Sequence, residues 1–182
     1  DRCTEEIFNA TEAKFRAFIR SIPDGVYSAE GYSDNDGTDD EPVLSTVTVT
    51  VAGDHMTIDT AGSSEQRPGN LNTGFANTVS AVRLALALLF PESEPDINDG
   101  SFRALTVKAE SGSIYSAEPP APCMRPHPVM LLIDLILKAL SDVLPEHVAA
   151  GLPGDSWNVF LMGTDPATGK LFTSGEALDG GW

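Results

Sequence analysis

Positive charge, cysteine and histidine are all scarce in this 182-residue sequence. Eleven Lys plus Arg stand against 27 Asp plus Glu, a formal net charge of -16. Nucleic-acid backbones and anionic membrane surfaces are recognised through positive charge, so this balance argues against both as partners. It suits a soluble protein, or a subunit whose partner carries compensating charge. Two cysteines, Cys3 and Cys123, cannot build a disulfide framework, and their spacing matches no metal site. They read as thiols in a reducing compartment, which places the protein in the cytoplasm. Long hydrophobic runs are missing as well. The longest, 84–90 and 129–137, fall far short of the roughly 20 residues a membrane span needs, and Asp134 interrupts the second. Residues 7–18 are charged and amphipathic, unlike the apolar region of a signal peptide.

What is present is ordinary for a folded domain: 41% hydrophobic and 21% charged residues, with 16 Gly and 13 Pro. The length suits one well-filled domain, 1–182, exposing roughly 8,500 Å² when folded. Phe8, Thr11, Phe15, Phe18, Ile19 and Ile22 recur at three- and four-residue steps, which predicts a first helix over 4–21, stopped by Pro23, Asp24 and Gly25. A strand is expected over 26–32. In 43–51 the odd positions are Val43, Ser45, Val47, Val49 and Val51, with Leu44 and three threonines between them. That alternation is the pattern of a half-buried strand, and the turn 52–54 returns it as a second strand over 55–60.

Further on, the apolar-rich stretch 75–90 reads as a helix covered around its whole circumference, by a core or by a partner, with Thr73 or Asn72 as its cap. A polar turn is expected over 91–100, and a strand over 102–109. The proline-rich stretch 118–128 must run extended or in turns. A third helix is expected over 129–144, then two strands, 157–162 and 170–174, joined by the turn 165–169. The sum is an α+β fold, antiparallel hairpins packed with about three helices.

Few constellations in the chain carry chemistry. Asp34, Asp36, Asp39, Asp40 and Glu41 crowd one loop, but a calcium loop with its glycine at Gly37 would start at Tyr32 and need a glutamate at Val43. The register fails at both ends, and no tight calcium site is expected. His55, His127 and His147 lie too far apart for a helical zinc pair. His127 stands four residues from Cys123, yet no third group is evident to orient such a pair. Nucleophile-elbow and phosphate-loop patterns are absent, and Gly154, Asp155 and Ser156 meet neither. No catalytic residue is assigned.

The segment most like a site is 59–72. Its glycines allow a ligand close to the backbone, and an apolar helix follows with its free amides aimed back. Asp59, Ser63, Gln66 and Asn70 are suited to orient an amide or carboxylate, and Arg67 to meet an anionic substrate. These five are the expected substrate-binding residues.

Five blocks then run in a recognisable order. They are Ile22-Pro23-Asp24-Gly25-Val26-Tyr27 with Tyr32-Ser33-Asp34-Asn35-Asp36-Gly37; Ile58-Asp59-Thr60-Ala61-Gly62-Ser63-Ser64-Glu65-Gln66 with Gly69-Asn70; Pro95-Asp96-Ile97-Asn98-Asp99-Gly100-Ser101-Phe102-Arg103; Glu110-Ser111-Gly112-Ser113 with Pro119-Pro120-Ala121; and Ala139-Leu140 with Leu144-Pro145-Glu146. Together they resemble the hydantoinase B/oxoprolinase family across nearly the whole chain. The resemblance implies an internal segment of a larger subunit, in keeping with a chain that opens on Asp1 and stops at Gly180, Gly181 and Trp182.

Members are ATP-dependent cyclic-amide hydrolases and the related ketone carboxylases, working beside an A-type subunit that binds ATP and phosphorylates the substrate. On this resemblance the segment is part of a hydantoinase/5-oxoprolinase-type hydrolase and inactive alone; a ketone carboxylase subunit and a purely structural assembly segment are the alternatives. The family's metal ligands lie upstream, so no cofactor is expected on this segment, with ATP and a divalent metal expected in the complete enzyme. Cys123, Met124, Arg125, Pro126 and His127 depart from the small residues and glycine found there in many members.

Overall fold

Three phenylalanines on one stripe set the first contact of the fold. In a computed structural model, which describes residues 2–90, 97–123, 127–149, 151 and 157–178, helix α1 (Arg2–Ser21) buries Thr11, Phe15, Phe18 and Ile19. Residues 91–96 of the turn expected over 91–100, the departures Met124, Arg125 and Pro126, the tripeptide Gly154, Asp155 and Ser156, and the terminal residues Asp1, Gly180, Gly181 and Trp182 lie outside the described residues.

Strands β1 (Gly25–Ser33), β2 (Val43–Ala52) and β3 (His55–Asp59) pair antiparallel, from Gly25 opposite Val51 to Ser33 opposite Val43 and from Ala52 opposite His55 to Thr48 opposite Asp59. The expected hairpin is there, closed by Gly53 at φ 62°. Val43, Ser45, Val47, Val49 and Val51 are buried, and the residues between them are half-exposed. Arg16 and Arg20 on α1 reach over to the turn at Asp54, at 3.0 and 2.8 Å.

Helix α2 (Phe75–Leu89) is present, but with an uncovered side. Val82, Ala85, Leu86 and Leu89 are buried, whereas Leu84 and Leu88 are each 50% exposed and Phe75 43%. Its cap is Gly74, without a side-chain cap bond, instead of Thr73 or Asn72. Asn72 is unavailable because its side chain accepts from Arg67 N and donates to the carbonyls of Arg67, Gly69 and Pro122.

The expected strand 102–109 starts late. Asp99–Phe102 forms a 3-10 turn, capped by Asn98 through bonds with Gly100 N and Ser101 Oγ. The turn lies so close on α1 that a Cβ at Gly100 would sit 2.2 Å from the Phe8 carbonyl oxygen. Only glycine fits that approach. Strand β4 (Leu105–Lys108) follows and pairs parallel with β3, from Met56 opposite Leu105 to Asp59 opposite Lys108. The sheet, in order β1-β2-β3-β4, is therefore mixed, with α2 in the crossover. The α+β class with antiparallel hairpins and three helices stands, and the sheet adds one parallel pair, β3 with β4.

Helix α3 (His127–Leu140) starts two residues earlier than expected, with Pro128 in its first turn, where the missing N–H costs nothing. It ends four residues earlier, because Val143 N and Leu144 N both donate to the Leu140 carbonyl and tighten the chain into turns. α3 lies across β1 and β2, α2 packs on α3, and α1 reaches β3, so helices cover one face of the sheet. Strands β5 (Trp157–Thr164) and β6 (Leu171–Leu178) form a separate two-stranded sheet, at the expected place and longer than expected.

Candidate functional site

Parallel strands present their carboxyl ends, and the loops leaving them, to the same side, where ligands commonly bind in such sheets. β3 and β4 end side by side at Asp59 and Lys108. Three loops converge there: 34–42, 60–74 and 109–123. The middle one is the segment singled out in the sequence, and the structure shows what holds it.

Asp59 starts the loop with an Asx turn, its Oδ1 accepting from Ala61 N at 2.9 Å. Ser63 Oγ accepts from Thr46 N at 3.0 Å and donates to the Thr46 carbonyl at 3.2 Å. Ser64 does the same for Leu44, accepting from its N–H through Oγ and donating through its own N–H, both at 2.9 Å. Gln66 couples to the third loop: its Oε1 accepts from Glu118 N at 2.8 Å, and its Nε2 donates to the Glu118 carbonyl at 3.3 Å. Glu65 forms a bridge with Ser113.

Arg67 is turned toward the acidic loop. Its Nη2 donates to both carboxylate oxygens of Asp39, at 2.9 and 2.8 Å, and its Nε lies 3.5 Å from Asp36 Oδ2. Asp36 is buried and accepts from Thr38 Oγ1 at 2.6 Å, Thr38 N at 2.9 Å and Gly69 N at 2.9 Å. The Thr38 hydroxyl bond above all, with both backbone N–H bonds and the Arg67 charge, outweighs burial and holds the Asp36 carboxyl far below the usual range. Gly69 is required here, since a Cβ would meet the Asp36 carbonyl oxygen at 2.0 Å.

Asp59, Ser63, Gln66 and Arg67 thus all bond to the protein itself, and Asn70 is exposed at the tip. Two shallow depressions flank the loop. One, of about 560 Å³, is lined by Ser63, Glu65, Glu110, Ser111, Gly112 and Ser113. The other, of about 330 Å³, is lined by Gln66, Arg67, Pro68, Pro120, Ala121 and Pro122. The first pairs two carboxylates with three hydroxyls, a lining that hydrogen-bonds polar groups; the second offers one guanidinium edge beside prolines.

Sequence reasoning passed over Glu110, Ser111 and Ser113 as site residues, although the block Glu110-Ser111-Gly112-Ser113 was among the motifs. It also set His127 beside Cys123. His127 Nε2 instead bonds Ser33 Oγ at 2.8 Å, tying the start of α3 to the end of β1. Cys123 Sγ lies 3.9 Å from the Ala121 carbonyl oxygen. His55, at the start of β3, is half-buried with Nε2 2.9 Å from Thr106 Oγ1. Among the described residues, no three His, Cys, Asp or Glu side chains converge to hold a metal ion, and no helix is long and apolar enough to cross a membrane.

The hydantoinase B/oxoprolinase family pattern matches residues 1–182. The chain belongs to the hydantoinase B/oxoprolinase family. It is 30% identical over 169 residues to the beta chain of the caprolactamase of Pseudomonas jessenii, covering 90% of this chain and 28% of that protein. It is 32% identical over 161 residues to the B-type component of a putative D-/L-hydantoinase from a Pseudomonas species (strain NS671), covering 82% of this chain and 27% of that one. The fold matches the crystal structure of the ATP-dependent caprolactamase from Pseudomonas jessenii with a TM-score of 0.76 and 27% identity, over 94% of this chain and 30% of that one. Acetone carboxylase in its nucleotide-free form shares the fold, with a TM-score of 0.73 at 17% identity, over 90% of this chain and 24% of that one. The chain spans less than a third of the length of each of these relatives.

Proposed function

We propose that this chain is part of a subunit of an ATP-dependent cyclic-amide hydrolase of the hydantoinase/5-oxoprolinase type, acting beside an A-type subunit that holds ATP. The observation carrying this reading is the family match over all 182 residues together with two relatives at 30% and 32% identity, the beta chain of a caprolactamase and the B-type component of a hydantoinase. Acetone carboxylase shares the fold alone, so the hydrolase reading ranks above a ketone carboxylase or a purely structural segment. The complete enzyme uses ATP and a divalent metal. On the family resemblance, the ligands of that metal lie outside this segment. Two exposed cysteines outside any disulfide fit a cytoplasmic enzyme.

In this reading the loop 59–72 borders the substrate site, with Asp59, Ser63, Gln66, Arg67 and Asn70 as its substrate-side residues. Asp59, Ser63 and Gln66 act by fixing the loop, since their polar groups are bonded to backbone. Asn70, exposed at the tip, is the one positioned to bond an amide directly. Arg67 meets an anionic substrate by exchanging one carboxylate, that of the half-exposed Asp39, for another.

The test is steady-state kinetics of the complete assembly with ATP and hydantoin, 5-oxoproline or caprolactam. Asn70→Ala is expected to lower kcat/KM about tenfold or more, the loss of one substrate hydrogen bond, with the melting temperature unchanged. Unchanged kinetics in both Asn70→Ala and Arg67→Ala would remove the loop from the site and leave a scaffold.

A further inference from the structure

Strands β5 and β6 form a hairpin that is apolar on both faces. In the observed register Val159, Leu161 and Phe172 share one face, and Phe160, Met162 and Leu171 the other. All six are exposed, Met162 to 77% and Leu171 to 87%. The two rings lie flat across the opposite strand. A Cβ at Gly175 would stand 2.9 Å from the Phe160 ring, and one at Gly163 would stand 3.1 Å from that of Phe172. Each face therefore carries one aromatic ring seated over a glycine of the other strand, beside exposed aliphatic side chains. A two-stranded hairpin is marginal in water without a layer to pack on, and apolar surface of this kind marks an interaction site.

We infer that this hairpin is a docking tongue, inserted between apolar layers supplied by further polypeptide of the family-length subunit. The inference rests on the proposed function, in which the chain acts as part of such a subunit. Two observations choose this occupant. The matched relatives are more than three times as long as the region they share with this chain, which covers 27% to 30% of them. A second copy is disfavoured by charge. The hairpin itself carries only Asp165, Glu176 and Lys170, so nearly all of the formal charge of -16 sits on the body. Docking the tongue on another copy sets two strongly acidic bodies against each other.

Hydrogen exchange of the segments 159–163 and 171–176 tests this in the isolated chain and in the complete subunit. Fast exchange in the isolated chain, slowed about 100-fold or more in the complete subunit, is the expected result. Equal rates in both overturn the inference. So does a dimer of the isolated chain in light scattering that the double substitution Met162→Ser with Leu171→Ser dissolves, because the occupant is then a second copy. A complete subunit that turns over substrate while its hairpin exchanges fast sinks the tongue and leaves the function standing. A protected hairpin in an assembly without ATP-dependent turnover does the reverse.

Discussion

Asp36 joins two loops through one carboxylate. Its oxygens take the Thr38 hydroxyl and amide on its own loop and the Gly69 amide on the next. Asp36→Ala strips three donors of their acceptor and is expected to lower unfolding free energy by about 1–3 kcal/mol in urea titration. Asp40→Ala, on the same loop but exposed, is expected to stay within about 0.5 kcal/mol. Gly69→Ala should be worse than Gly74→Ala, whose added methyl meets nothing within 4 Å. The pH dependence follows from the lowered Asp36 pKa. Its contribution is complete above the unfolded aspartate value of about 3.9 and is lost as pH falls from there toward the folded value. Wild-type stability should drop through that window, and Asp36→Ala should drop less. The loop 59–72 stood out in the sequence by its residue types. Its anchors did not, because Asp39, Thr46 and Glu118 are 28, 17 and 52 residues away from the side chains they hold. Nothing local in the chain announces that Arg67 is already paired.

Helix α2 shows what periodicity reveals about an element and what it leaves out. Its apolar residues surround the axis, and the sequence rightly gives a helix; which side is covered depends on where α3 lies. Leu86→Ala, in the core, is expected to cost about 2–5 kcal/mol, and Leu88→Ala, half-exposed, a small fraction of that. Chemical denaturation of the two variants checks the difference, and equal losses would mean that Leu88 is buried in solution. The Val/Thr alternation of β2 and the phenylalanine stripe of α1 were legible because each has a single period and a single buried face. The parallel partner of β3 was not. β4 is four residues long, and the apolar residue ahead of it, Phe102, belongs to a turn fixed by Asn98 and by the close seat of Gly100 on α1. Both determinants are tertiary.

At the scale of the whole molecule, the uncovered side of α2 and the bare hairpin both suit a body that acts within a larger assembly. A net charge of -16 adds self-repulsion, so the melting temperature should rise by a few degrees from low to physiological salt. A flat response would mean that the acids are locally neutralised. The central claim, that this chain is one part of an ATP-dependent cyclic-amide hydrolase, is tested most directly by following ADP release and ring opening together. The complete assembly, incubated with hydantoin, 5-oxoproline or caprolactam, should open at least one ring with ADP formed in step, and the isolated chain should open none. Ring opening by the isolated chain, or by the assembly without ATP, would contradict the account.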